Sequence, residues 1–223
     1  IDDLRRNVLG TLRFVQRLPD SVSKICFASS AMVYGLNPPR PVSETDCARP
    51  VTIYATGKLT TETYLRIHAQ KSDVSVSILR YATVYGPMET VPRAIPNFIR
   101  RVLAGRSPVI RGKGDDVRDY VHVFDVVRAT LLALAHDTHP AQVYNVGTGK
   151  GRTTREIAET VIRLVGKHVK PIHEPANHAP SKIVCDVSRA CTALGYKPRV
   201  ELKEGLTDEI RYFVDNPKFW RDV

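Results

Sequence analysis

At 223 residues, 43% hydrophobic and 25% charged, the chain has the make-up of a globular protein long enough to bury a substantial core. No apolar run reaches the roughly 18 residues of a membrane-spanning helix, and the charges between residues 1 and 16 do not suit a signal peptide. The net charge of +10 invites a nucleic-acid partner, but the lysines and arginines are dispersed and lack interleaved aromatics, so a basic surface that draws small anions is the better expectation.

In chain order, periodicity predicts an amphipathic helix over residues 2–16 and a short buried strand over 24–28. A Pro-rich polar loop follows over 36–50, then a helix over 53–70 and an alternating apolar strand over 74–81. Beyond a further loop come a helix over 95–104, short strands over 108–110 and 121–123, a helix over 126–136 and a strand over 142–146. Thr153, with Glu156 three residues on, reads as a capping box that opens another helix. Strands that alternate with helices favour α/β architecture with a parallel sheet. Cys26, Cys47, Cys185 and Cys191 have neither C-x-x-C nor metal-ligand spacing, which fits reduced thiols in a cytoplasmic protein. Three histidines between His168 and His178 form no i, i+4 pair on a helix, so no metal site is expected.

Tyr54 and Lys58 are the most telling pair. On a helix they stand one turn apart on the same face, where a lysine cation favours the phenolate of a tyrosine whose ordinary pKa is near ~10. Ser30 lies 24 positions before Tyr54, at the carboxyl end of the first strand, where parallel sheets bind their ligands. A serine, a tyrosine and a lysine so placed suit proton transfer to and from a substrate hydroxyl. The bland alternative is a surface Tyr-Lys pair beside a strand-end serine.

Gly147-Thr148-Gly149-Lys150-Gly151 superficially suggests a phosphate loop. Tyr144 and Gly151 stand where such a loop needs a glycine and a Ser or Thr, so a plain turn is the better reading.

Several further segments occur together and in order. They are Asn7-Val8-Leu9-Gly10-Thr11, Ser29-Ser30-Ala31-Met32-Val33-Tyr34-Gly35, Leu79-Arg80-Tyr81-Ala82-Thr83-Val84-Tyr85-Gly86-Pro87, Gly112-Lys113-Gly114 with Arg118-Asp119-Tyr120-Val121-His122-Val123 and Asp125, Tyr144-Asn145-Val146-Gly147-Thr148-Gly149, and Leu194-Gly195-Tyr196-Lys197-Pro198. On these the chain resembles the extended short-chain dehydrogenase/reductases, specifically the NAD-dependent epimerase/dehydratase group that acts on nucleotide sugars. The resemblance implies a partial Rossmann-type, doubly wound parallel sheet within residues 1–87. It also implies a smaller α/β substrate-binding lobe, mainly residues 88–223, interleaved with that sheet. That family opens on a strand, a Gly-rich turn and a helix that holds the cofactor pyrophosphate. Gly10 is the only glycine before Gly35, so the chain is expected to lack on the order of 90 residues of the family layout and to be inactive alone.

The resemblance also implies roles. Tyr54 would be the acid/base, Lys58 would hold the nicotinamide ribose of NAD and lower the tyrosine pKa, and Ser30 would hydrogen-bond the reacting oxygen. Asn7 would touch the cofactor or simply cap a helix. Tyr81 and Ala82 would line the nicotinamide pocket through their backbone, or Tyr81 would be core. Arg118 would anchor the substrate diphosphate with Thr83 nearby, unless it is spent on an ion pair with Asp119 or Asp125. His122, between two valines, reads as structural.

Departures from the family pattern narrow the choice. Ala31 and Met32 stand where dehydratases carry an Asp-Glu pair, Thr83 replaces a common asparagine, and residues 174–178 lack an arginine frequent in epimerases. The expected activity is UDP-glucose 4-epimerase-like, through a transient 4-keto sugar, in a homodimer paired through the Tyr-Lys helix when full length. The alternatives are a 4-keto reductase for a 6-deoxy nucleotide sugar or an inactive nucleotide-binding homologue.

Overall fold

The computed structural model describes residues 2–177 and 179–220. A π-wound stretch, Leu4–Leu9, runs directly into α1 (Gly10–Val15), so the first expected helix is present but is wider than an α-helix in its first half. There follow β1 (Lys24–Ser30), a 3-10 turn (Ala31–Tyr34), α2 (Ile53–Gln70), β2 (Ser75–Tyr81), β3 (Thr83–Tyr85) and α3 (Ala94–Leu103). Next come β4 (Val109–Arg111), β5 (Val117–His122), α4 (Val123–Ala135), β6 (Ala141–Val146), β7 (Gly151–Thr153) and α5 (Thr154–Val165). The chain continues through β8 (Ile172–Glu174), β9 (Lys182–Ile183), α6 (Ser188–Leu194) and α7 (Leu202–Asp215).

Two boundaries differ from expectation for one reason. The strand expected at 121–123 begins at Val117, because β7 and β9 flank its polar half and take up the backbone groups there, while β3 pairs with Tyr120 to His122. Helix α4 then starts at Val123, three residues early, with the His122 ring nitrogen accepting the Phe124 N–H at 3.4 Å as a cap. The capping box is present, Thr153 and Glu156 exchanging hydrogen bonds with each other's backbone N–H. His178 lies outside the described residues. Among the described ones no cluster of three metal-ligating side chains forms.

Strands β1, β2 and β6 form a parallel sheet with β2 at its centre. Period-2 alternation divides β2 between two cores. Val76 and Ile78 face Leu65 and Ala69 of α2 together with Val15 of α1, while Leu79 faces Val126, Ala129 and Ala133 of α4. Burial on both faces is what a parallel sheet requires, and it forces every polar side chain in β2 to find a partner. Ser77 does so with Thr138 at 3.1 Å, and Arg80 with Glu62.

The second lobe packs α3, α5 and α7 around Ile99, Ile110, Ile157, Leu206 and Phe213, next to Tyr85 and Tyr120 of the short strands. One residue breaks its apolar logic. Glu209 on α7 is 0% exposed, and neither carboxyl oxygen has a hydrogen-bond partner of ordinary geometry among the described residues. Burial, reinforced by the nearby Glu89, pushes its pKa up to about 9, the Gly86 backbone offsetting only part of this.

The folded state therefore keeps a proton that the unfolded chain releases near pH ~4.5, and stability falls as pH rises from there to about 9. Glu209→Met is expected to raise stability at neutral pH by on the order of a few kcal/mol, with the smallest gain below the ordinary glutamate pKa and a growing gain up to pH 9. Thermal melts across that range check it; a gain that is flat with pH would refute the assignment.

Candidate active site

Helix α2 is started by Thr52, whose hydroxyl accepts the Ala55 N–H at 3.1 Å. Its inner residues are small where it meets the first helix, with Gly57 against Val8. That close approach turns Tyr54 and Lys58 toward the carboxyl end of β1. Lys58 Nζ donates to the Ala28 carbonyl at 2.8 Å and lies 5.7 Å from the Tyr54 ring centroid. Ser30 ends β1, its hydroxyl beside the Tyr54 phenol and accepting the Met32 N–H at 3.2 Å. Ser30, Tyr54 and Lys58 thus meet at one strand end.

Their electrostatics differ from a simple Lys-activated phenol. Burial pushes the Tyr54 phenol up, and the neighbouring Ser30 hydroxyl and the Arg93 charge offset only part of that. Burial likewise lowers the Lys58 ammonium, with Asp3 opposing it. Asn7 lies inside the opening helix and does not cap it; its amide donates to Asp3 at 3.1 Å, and its carbonyl accepts the Thr61 hydroxyl at 3.1 Å. It therefore stands beside α2, one turn from Lys58.

Ser30 shares a small pocket with Met32, Tyr81, Ala82, Thr83 and Arg118. The Tyr81 side chain turns away from this pocket, its hydroxyl 2.8 Å from Thr130 of α4, so only its backbone can serve a ligand. Thr83 and Arg118 also line a larger cleft of about 450 Å³ between β3, α3 and β4. Arg93 and Arg111 join Arg118 there, facing Glu89 and Asp116. Arg118 pairs with neither Asp119 nor Asp125. It donates to Ser181 at 2.6 and 2.9 Å and lies 3.8 Å from Asp116, with about a quarter of its side chain exposed.

Asp119 has a separate task. It is fully buried and accepts the Thr148 N–H at 2.8 Å, the Thr148 hydroxyl at 2.6 Å and the Gly149 N–H at 3.0 Å. A Cβ at residue 147 would collide with this carboxylate, which is why the turn after β6 begins with glycine. Asp125 is likewise structural, accepting the Arg199 and Val200 N–H groups at 2.8 and 3.0 Å. His122 is buried as the α4 cap, edge-on to Tyr85 and Phe124.

Sequence reasoning missed Arg93 and Arg111, which approach the cleft from a loop and a three-residue strand with no local pattern to mark them. It also missed Glu62, although the i+4 step from Tyr54 to Lys58 leads directly to it.

A parallel Rossmann-type sheet with serine, tyrosine and lysine at its carboxyl edge, beside an arginine-lined cleft, defines a protein of the short-chain dehydrogenase/reductase class. The NAD dependent epimerase/dehydratase family model matches residues 1–147, and the chain belongs to that family. It is 35% identical to a UDP-glucose 4-epimerase of Mycolicibacterium smegmatis, over 95% of this chain and 69% of that protein. The crystal structure of the Thermotoga maritima UDP-glucose 4-epimerase with UDP-glucose superposes with a TM-score of 0.89 at 33% identity, covering 96% of this chain and 71% of that one. A Thermus thermophilus UDP-glucose 4-epimerase complex with NAD gives 0.78 at 33% identity, over 86% and 64%.

Replacing Asp119 by alanine is expected to strand the Thr148 and Gly149 donors and to destabilise the chain by about 3 kcal/mol. Urea titration measures it; a loss under about 1 kcal/mol would mean these donors find other partners.

Proposed function

We propose that the chain is the core of an NAD-dependent nucleotide-sugar 4-epimerase with a UDP-hexose substrate. The observation that carries the reading is the continuity of two sites: the Ser30 pocket and the arginine-lined cleft share Thr83 and Arg118. A nucleotide diphosphate held in the cleft by Arg118, with Arg93 and Arg111 nearby, would direct its sugar toward Ser30 and Tyr54.

The residues present suit the cofactor. Lys58 spends one N–H bond on Ala28 and keeps the others for ribose hydroxyls, Asn7 stands a turn away, and the backbone of Tyr81 and Ala82 borders the pocket. NAD, when bound, supplies a reversible acceptor for the hydride of the carbon that bears the reacting hydroxyl. Tyr54 takes the hydroxyl proton and later returns it, while Ser30 hydrogen-bonds the same oxygen and holds it in place. An anchored diphosphate and a loosely held hexose let the 4-keto sugar turn its other face before reduction. Met32 borders the pocket where elimination would need a carboxylate base, so dehydration is disfavoured. Exposed Phe14, Ile53 and Ile67 on the opening helix and α2 support pairing of two copies through that face.

Calorimetric titration with NAD and with UDP-glucose, followed by chromatographic assay of UDP-galactose, tests the reading. Arg118→Lys is expected to weaken UDP-glucose binding by about 10- to 100-fold, because lysine cannot reproduce the forked donors. Tyr54→Phe is expected to leave binding unchanged and to cut turnover by about 10²- to 10⁴-fold. Net consumption of reduced nicotinamide in place of epimerisation would identify a 4-keto reductase instead.

A further inference from the structure

One residue before the reacting serine, a row of polar side chains crosses the sheet in register. Ser29 of β1 pairs with Arg80 of β2, and Arg80 with Asn145 of β6. All three lie on the α2 side of strands that are otherwise apolar there. Arg80 donates through Nε and one terminal nitrogen to both oxygens of Glu62, at 2.6 to 3.2 Å, and Ser29 donates its hydroxyl to the same carboxylate. The two charged side chains are 6% and 1% exposed. Arg80 also stacks 4.8 Å from the Tyr34 ring centroid, and the Tyr34 hydroxyl donates to Asn145 at 2.7 Å.

The sequence positions give this pair its meaning. Tyr54, Lys58 and Glu62 follow one another at successive turns of α2 and stand against the last three residues of β1: Lys58 donates to the Ala28 carbonyl, Glu62 accepts the Ser29 hydroxyl, and Tyr54 lies beside Ser30. Towards its carboxyl end α2 is held by Leu65 and Ala69 against Val76, Ile78 and Val143. Apolar contact of that kind holds a helix on a sheet but sets its axial position weakly. A forked guanidinium-carboxylate pair sets it within a few tenths of an ångström, because parallel N–H···O bonds fail when one partner slides. Stability alone is a weak reason for the pair, since apolar residues of similar volume stabilise a buried site as well or better.

We propose that the buried Glu62–Arg80 pair, with Ser29, is a positioning device for the reaction: it fixes α2 along β1 and so aligns Tyr54 with Ser30 and Lys58 with the strand end. This rests on the reading of Ser30, Tyr54 and Lys58 as the reaction centre. Glu62 and Arg80 touch no substrate; they act through the residues they align.

Two variants test it. Arg80→Lys keeps the charge and loses the fork, whereas the double replacement Glu62→Leu, Arg80→Met removes both charges together, so neither is left buried alone. Each is read by its thermal melt, by kcat and KM in the full-length protein, and by NMR titration of tyrosine carrying 13C at Cζ. The Tyr54 signal in that titration is identified by its loss in Tyr54→Phe. With cooperative melting retained, kcat is expected to fall by about tenfold in Arg80→Lys and about 10²-fold in the double variant, KM for UDP-glucose staying within a factor of two. The Tyr54 signal is expected to titrate at higher pH in both, because the Ser30 hydroxyl that favours the phenolate is displaced from it, while Arg93 and Asp3 remain in place.

A cooperatively melting variant of either kind that keeps both the parent Tyr54 titration and the parent kcat would overturn the proposal and leave the pair a packing element. If the double variant does not fold, Arg80→Lys decides alone. A full-length parent that shows no epimerisation, with the Tyr54 signal still displaced in the variants, would defeat the functional reading and leave the positioning intact.

Discussion

Parallel strands all end at the same edge, and that single constraint organises this molecule. The carboxyl ends of β1, β2 and β6 bring Ser29, Arg80 and Asn145 together in register, each of them buried. Each such side chain must find a partner, because burial takes it away from water. The network through Glu62, Arg80, Tyr34 and Asn145 meets that demand except at one Arg80 terminal nitrogen, which has no hydrogen-bond partner among the described residues. It continues outward, since Asn145 also donates to the Val42 and Asp186 carbonyls at 2.9 and 3.1 Å. The loop that follows the 3-10 turn and the segment before α6 are thereby tied to the same three strand ends that carry the reaction centre.

The second lobe is joined to the sheet by a different carboxylate. Asp119 sits on β5, between strands that belong to the cleft, yet its hydrogen bonds run to the turn after β6. It also accepts the Cys185 N–H at 3.4 Å, beside the start of α6. The next residue back, Arg118, faces the other way, toward Ser181 and the cleft. Alternation along one short strand therefore assigns neighbouring charged residues to unlike tasks, one locking the lobes and one offered to an anion. A cleft formed at such a joint keeps its distance from the Ser30 pocket without needing a rigid loop.

Much of this was legible in the sequence. The long helix and its Tyr-Lys spacing, the buried strands and the capping box follow from periodicities of 3.6 and 2 and from local hydrogen-bond chemistry. Strands β3, β7 and β9 were not, because segments of two or three residues acquire strand geometry only from the partners that β5 supplies. The polar half of β5 was hidden for the same reason: Arg118 and Asp119 have poor strand propensity, overridden by tertiary pairing. At the site, the residues that meet through one helix and one strand end were found together. Those that reach the cleft from elsewhere, Arg93 and Arg111, needed the fold to reveal them. Tyr81 shows the converse, since its place in a recognisable segment said nothing of its side chain, which packs against α4.

Two buried glutamates show how position decides what a carboxylate does. Glu62 and Glu209 are equally inaccessible, on helices that each pack against a strand end. Glu62 meets a guanidinium and a hydroxyl, remains an acceptor for both, and links a helix to two strands. Glu209 meets another carboxylate and aromatic walls, and keeps its proton instead. The first arrangement spends desolvation on a geometry that the neighbouring helix turns use, whereas the second imposes a pH-dependent cost on the lobe that packs the cleft. The sheet side of the site is therefore the part held by paired hydrogen bonds. The lobe side, held by α7 over Tyr85 and by a loop whose Met88 is 75% exposed, is where the molecule has room to yield.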